Sequence, residues 1–268
     1  MIETDNETRQ WDVMLTRLGA VRAGREAVIS GEQPPSVAHV EPPTQLEAIY
    51  GPLVATKTLV IAQLGQTLDG RIATRSGDSH FVTGPDDIRH LHRLRALVDA
   101  VIVGAGTVIA DDPRLTVRHV RGDHPVRVVL DPTGRVPDDR RLFLDGLAPT
   151  LWLRSRSAES IPDRAGVETV LLKADTEGEG FDPSEILAVL AARGLRRVLV
   201  EGGGLTVSRF LAADVLDRLH LTVAPMLLGS GRPSVTLEPV DSLREALRPR
   251  CRHFVLGQDI LFDLCFHC

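Results

Sequence analysis

Between Lys57 and Glu201 the chain alternates short β-branched runs with amphipathic stretches, a pattern that restricts it to a largely parallel sheet with helices on both faces. Strands are predicted near 58–64, 100–103, 126–131, 150–154, 168–172 and 196–201, and helices near 85–97, 183–193 and 204–213. After Asp217 the pattern changes. RLHLTVAPMLLG and RHFVLGQDILFDLCF read as strands, with only a short helix predicted near 241–247 between them, so an antiparallel C-terminal edge is expected. Residues 1–55 stand apart: Trp11, Met14, Leu15 and Leu18 have helical spacing, and SGEQPPSVAHVEPPT is a proline-rich connector. The expected division is an N-terminal extension, 1–55, and a main domain, 56–268.

A chain of 268 residues with 43% hydrophobic content can bury a sizeable core. Its net charge of -5 supplies no basic field for nucleic acid or an anionic membrane. No apolar run reaches the roughly 18 residues of a membrane span, and MIETDNETRQ lacks the order of a signal peptide. A cytoplasmic protein is expected. Cys251, Cys265 and Cys268 have no spacing suited to a disulfide framework and read as reduced thiols. His39-Val40-Glu41 matches an HxE fragment of zinc deaminases, but no proline-flanked CxxC follows at a comparable distance, so no metal is expected.

Chemistry concentrates in loops at predicted strand ends, where open α/β sheets bind ligands. Ala100 to Val103 form a strand that opens into GAGTVIADDPRLTVR, which gathers glycines, Thr107, Asp111, Asp112 and Arg118. QLGQTLDGRIA, HFVTGPDD and VEGGGLTVSRF occupy comparable places. In the last, Gly202, Gly203 and Gly204 turn a buried strand into a helix whose first amides would face an anion, with Glu201 beside them. Each loop taken alone can also be plain turn chemistry: glycine supplies positive φ, Asp112 can cap a turn with Pro113, and Arg118 can pair with a surface carboxylate. Their convergence at one sheet edge is the argument for a site.

Five motifs in order, QTLDGRIA, VGAGTVIADDPRLTVR, HPVRVVLDPTGRVP, VEGGG and VAPMLLG, resemble the reductases of riboflavin biosynthesis over about 58–268. The resemblance implies a dihydrofolate-reductase-like fold and a homodimer. It also implies NADPH-dependent reduction of the ribosyl group of a 5-amino-6-(ribosylamino)pyrimidine 5′-phosphate to a ribityl chain. Position by position, it implies that the nicotinamide cofactor lies against Gly104, Thr107 and Gly202–Gly204, with Asp69 and Ala73 lining the same cleft. Gln63, Thr83, Asp111, Leu115 and Arg118 fall to the substrate. Asp111 and Glu201 are the expected catalytic groups, assisting proton transfer as the opened ribose forms an imine at C1′ that accepts hydride.

Two departures bear on this. Gln63 stands where bacterial fused reductases usually carry a lysine; stand-alone archaeal enzymes tend to have an uncharged amide here, which leaves open whether the pyrimidine is already deaminated. The N-terminal extension is no deaminase. Arg154, Ser155 and Arg156 are candidates for a cofactor 2′-phosphate, or a solvated loop. A same-fold reductase of another pterin- or pyrimidine-like substrate and a non-catalytic nucleotide-binding protein are the alternative readings.

Overall fold

In the computed structural model, which describes residues 4–24, 43–156, 164–175 and 180–267, the chain forms two units, Met1–Leu59 and Val60–Cys268. The first holds α1 (Asp5–Arg22) and α2 (Gln45–Val54). Each helix is started by a threonine: Thr4 accepts a hydrogen bond from the Glu7 amide and Thr44 from the Glu47 amide. Trp11, Met14, Leu18 and Val21 form the buried stripe of α1, and the Trp11 ring meets Tyr50 of α2 edge-on at 5.4 Å. The sequence showed the first helix and missed the second. Most of the proline-rich connector lies outside the described residues.

The second unit contains β1 (Leu59–Thr67), β2 (Arg71–Thr74), α3 (Pro85–Ala96), β3 (Ala100–Gly104), α4 (Ala105–Asp111), β4 (Val126–Asp131) and α5 (Arg141–Leu144). It continues with β5 (Thr150–Ser155), β6 (Val167–Leu172), α6 (Pro183–Ala191), β7 (Arg197–Glu201), α7 (Gly204–Ala212), β8 (Arg218–Ala224), β9 (Gly231–Pro233), β10 (Arg250–Leu256) and β11 (Asp259–Cys265). Nine strands make one sheet in the order β10-β11-β8-β1-β7-β3-β4-β5-β6. β8 runs parallel to β1, β3 is parallel to both β4 and β7, and β5 is parallel to β4 and β6; β11 and β10 close the other side antiparallel. The mostly parallel sheet and its antiparallel C-terminal edge therefore agree with the alternation.

Period-two alternation gives the sheet two different faces. Ala62, Leu64, Ile102, Val128, Leu153, Val198 and Val200 pack with Ile186 and Leu190 of α6 and Val207 and Phe210 of α7. Between Ala62 and Leu64, Gln63 points the other way, and register sets Gln63, His220, Asp263 and Arg252 side by side across β1, β8, β11 and β10. α3 lies over this polar row: Asp87 accepts from Thr222 Oγ1 at 2.6 Å, and His90 Nε2 is 3.0 Å from His220 Nδ1.

Beyond α2, several elements of the second unit depart from the sequence reading, α5 among them. The residues after Gly104 form the short helix α4 rather than open loop. A second sheet, β2 with β9, was not foreseen. The predicted helix near 241–247 is absent: Leu243 and Leu247 are exposed there, and a helix without an apolar face to bury lacks its main source of stability. Cys251 is free, as read, whereas Cys265 is disulfide-bonded, which corrects the reading of that residue as a reduced thiol.

Candidate active site

A cleft of about 1120 Å³ opens where β7, β3 and β4 end. One wall is glycine-built. Gly202 has φ +99°, a conformation that side chains disfavour, and its amide neighbour Gly203 donates to Thr107 Oγ1 at 3.2 Å. A Cβ on Gly204 would sit 2.1 Å from the Ser234 carbonyl oxygen, and one on Gly104 would sit 2.7 Å from Thr206 Oγ1. The three-glycine turn thus brings backbone amides and the start of α7 to the cleft with no side chain in the way. Ser234 lines this wall as well; it is buried, and its hydroxyl has no hydrogen-bond partner. An orphaned donor beside open amides at a helix start is what the diphosphate of a nicotinamide dinucleotide would satisfy. The residues present therefore fit that group.

The opposite wall comes from β1, the segment before α3, and α4. Gln63 is buried and donates through Nε2 to both carboxylate oxygens of Asp87, at 3.4 and 3.3 Å. Burial raises the Asp87 carboxyl to about 6, against the hydroxyls of Thr222 and Thr83 that favour its ionised form, and the nearby Asp259 carboxylate adds to the rise. Asp111 ends α4 at the cleft; burial raises its carboxyl too, countered by His80 and Arg232. Leu115 is buried in the lining with φ +56°.

Glu201 is committed to a partner. Arg95 of α3 grips it with two bonds, Nε to Oε1 at 2.7 Å and Nη2 to Oε2 at 2.6 Å, and its third nitrogen, Nη1, reaches the Thr116 carbonyl at 3.1 Å. Both side chains are buried and both line the cleft. This fork-to-fork geometry fixes the carboxylate plane and leaves its remaining lone pairs to the cavity.

The structure gathers Gln63, Ala73, Thr83, Gly104, Thr107, Asp111, Leu115, Glu201 and Gly202–Gly204 around one cavity. Two expected residues lie off its lining. Asp69 accepts from Thr67 Oγ1 and from the amides of Leu228 and Gly229, which hold its carboxyl down at about 2 and tie the β1–β2 turn to the segment after β8. Arg118 donates to Thr116 Oγ1 at 2.9 Å while its own amide donates to His92 Nδ1. Asp112 is the C-cap of α4, with φ +42°, and its carboxylate accepts from the Arg141 amide 29 residues on. Arg154 is buried with its guanidinium 4.9 Å from the Trp152 ring centroid, and neither it nor Ser155 or Arg156 lines the cleft.

Sequence reasoning missed Asp87, Arg95 and Ser234. Asp87 lies within the HFVTGPDD motif without a role drawn from it, and Arg95 carries no motif; both line the cleft only because α3 packs beside the strand ends. Among the described residues no cluster of metal-binding side chains occurs, and no helix is long and apolar enough to cross a membrane.

The family model of the RibD C-terminal domain matches residues 58–262. The chain is 38% identical over 214 residues to the 2,5-diamino-6-ribosylamino-4(3H)-pyrimidinone 5′-phosphate reductase of Methanothermobacter thermautotrophicus, covering 76% of this chain and 96% of that one. It is 33% identical over 220 residues to the riboflavin biosynthesis protein RibD of Aquifex aeolicus, covering 80% of this chain and 60% of that one. A solved deaminase/reductase of Thermotoga maritima superposes with a TM-score of 0.65 at 27% identity, covering 82% of this chain and 61% of that one. The chain thus spans about three fifths of these two longer proteins.

Proposed function

The chain belongs to the RibD C-terminal domain family, and from that premise we propose that it is the pyrimidine reductase of riboflavin biosynthesis, acting on the diamino rather than the deaminated ribosylaminopyrimidinone 5′-phosphate with NADPH as reductant. The dinucleotide supplies a hydride. Gly104, Thr107 and Gly202–Gly204 would hold the dinucleotide, and Gln63, Thr83 and Asp87 on the opposite wall would hold the substrate across the cleft. Hydride addition to the opened C1′ imine needs one proton delivered to the ring oxygen that leaves C1′. Asp111, whose carboxyl burial shifts upward, lines the cleft and would supply it, and Glu201, held by Arg95, would stabilise the cationic imine.

The observation that carries the substrate assignment is the Gln63–Asp87 pair deep in the cleft. The diaminopyrimidinone presents its 2-amino group and adjacent ring N–H as two parallel donors, which a carboxylate accepts as a pair. Deamination replaces one donor with a carbonyl oxygen, which an ionised carboxylate repels. A lysine at position 63 would neutralise Asp87 and favour the carbonyl; glutamine leaves its charge in place.

The test is oxidation of reduced dinucleotide with each purified substrate in turn. Turnover of the diamino compound, with little on the deaminated one, supports the assignment; preference for the deaminated compound overturns it. In the same assay Asp111→Asn should lower kcat and leave substrate affinity unchanged, and wild-type turnover in that variant would remove Asp111 from proton transfer.

A further inference from the structure

A second buried carboxylate stands behind Asp87. Asp259, the first residue of β11, is as deeply buried as Asp87, at 3% exposure each, and lies behind the cleft lining. It reaches the site through the backbone: the Gly84 amide donates to Asp259 Oδ2 at 2.7 Å. Gly84 caps the start of α3 and, having no side chain, supplies no capping bond of its own. The tip of the β10–β11 hairpin lies against this turn, since a Cβ on Gly257, at φ +64°, would come within 2.6 Å of Asp86 Oδ2. On the other side Gly65 of β1 makes room, because a Cβ there would meet Thr83 Cγ2 at 2.8 Å and Asp87 Oδ2 at 3.5 Å. Thr83 and Asp87 are thus held between β1 and the hairpin tip.

The neighbours of Asp87 single out Asp259 as the charge acting on it. Gln63 on β1, Thr222 on β8 and Thr83 before α3 bond to Asp87 and are uncharged. His90, one turn on along α3, stacks on His220 of β8, and burial disfavours the cationic form of both. Asp263, further along β11, is matched by Arg218 and Arg252. Asp86 is paired with Arg89, and Arg95, two turns on, with Glu201. Asp259 is the charge left facing Asp87: after burial, which acts first, its carboxylate helps raise the Asp87 carboxyl to about 6.

We infer that Asp259 is a positioning residue for the pyrimidine: it fixes the turn from Thr83 to Asp87 through Gly84, and its negative charge keeps Asp87 able to take up a proton, so that the cleft presents either two acceptors or a donor beside an acceptor. The inference rests on the reading of Asp87 as the partner of the pyrimidine and extends it to the hairpin behind. Ionised, Asp87 offers two acceptors, which suit the 2-amino group and ring N–H of the diamino compound. Protonated, it offers an O–H donor beside a carbonyl acceptor, which suits the carbonyl and ring N–H of the deaminated compound. Preference for the diamino compound therefore rises with pH as Asp87 ionises, and Asp259 helps set where that rise falls.

The experiment is a pH titration of the full chain without ligand, following the carbon-13 signals of its aspartate carboxyls, with Asp87→Asn to assign the Asp87 signal. In the wild type Asp87 should titrate at about 6. Asp259→Asn keeps an oxygen for the Gly84 amide and removes the charge, so the Asp87 inflection should move down by about half to one pH unit, a like charge here weighing less than burial. In the dinucleotide oxidation assay, the ratio of kcat/KM for the diamino compound to that for the deaminated one should rise with pH in the wild type. In Asp259→Asn the rise should come at lower pH by the same amount, whereas a merely structural role would lower both turnovers without moving the ratio. Asp259→Ala, which also removes the tether to Gly84, should raise KM for both compounds. Unchanged KM in Asp259→Ala, or an Asp87 inflection at the same pH in Asp259→Asn, overturns the inference and leaves the substrate reading standing. A wild-type ratio that does not change with pH overturns both.

Discussion

At the scale of the single residue, the decisive facts are which carboxylates are already committed. Asp69 and Asp112 are consumed by backbone amides, whereas Glu201, held by Arg95, and Asp87, held by two hydroxyls and an amide, still line the cleft. Because Asp87 titrates at about 6 in the fold against 3.8 unfolded, it is protonated below that window and ionised above it. The raised value means the folded state holds this proton more tightly, so Asp87 costs stability that grows as pH rises from about 4 to 6. The same charge is what the diamino edge requires, so KM for the diamino substrate should climb as pH falls below about 6. Asp87→Asn should abolish that inflection and raise KM at least about 10-fold, the worth of one charge-assisted bond. A pH profile of kcat/KM that keeps its inflection in the variant would assign it to another group. The Arg95–Glu201 pair yields a second prediction. Arg95→Met strands a buried carboxylate and should lose about 3–5 kcal/mol in urea unfolding, much of it regained in Arg95→Met/Glu201→Leu. Turnover should be lost in both, separating the fold from the chemistry. None of this was legible in the sequence: Glu201 was visible as a strand-end acid, but its partner lies 106 residues earlier.

At the scale of the element, the glycine turn between β7 and α7 was read in advance because its cause is local. Three consecutive glycines after a buried strand allow few other structures, and Gly202 does take positive φ. What the sequence could not show is why Gly204 must lack a side chain, since the obstruction comes from Pro233 at the end of β9 and Ser234 just after it. The β2–β9 sheet was invisible for the same reason: both strands are short, and each acquires its partner only through distant pairing. Gly204→Ala should therefore act at the element level, pushing the 233–234 backbone away from α7. A loss of about 1–3 kcal/mol is expected, the usual cost of overpacking, together with loss of dinucleotide binding. Gly203→Ala is the matched control, since its Cβ would approach only Thr107 Oγ1, at 3.9 Å; equal effects of the two substitutions would show that chain stiffness, not crowding, governs the turn.

At the scale of the whole molecule, the question is how much of the chain the site needs. Among the described residues, those that line the cleft fall between Gln63 and Glu238, inside the unit that starts at Val60. The helices α1 and α2 have their own caps and their own Trp11–Tyr50 contact, and they contribute no lining residue. If binding depends on the lining, a chain shortened to begin at Lys57 should bind NADPH as tightly as the full chain. Its Tm is a separate quantity, because removing two helices also removes whatever apolar area they bury. A shortened chain that melts cooperatively and binds NADPH unchanged would show that the extension serves something other than the cofactor cleft. One that melts cooperatively but binds more weakly would show that cofactor affinity depends on residues outside the lining. The comparison needs only a melting curve and a dinucleotide titration, and it reads the two properties independently.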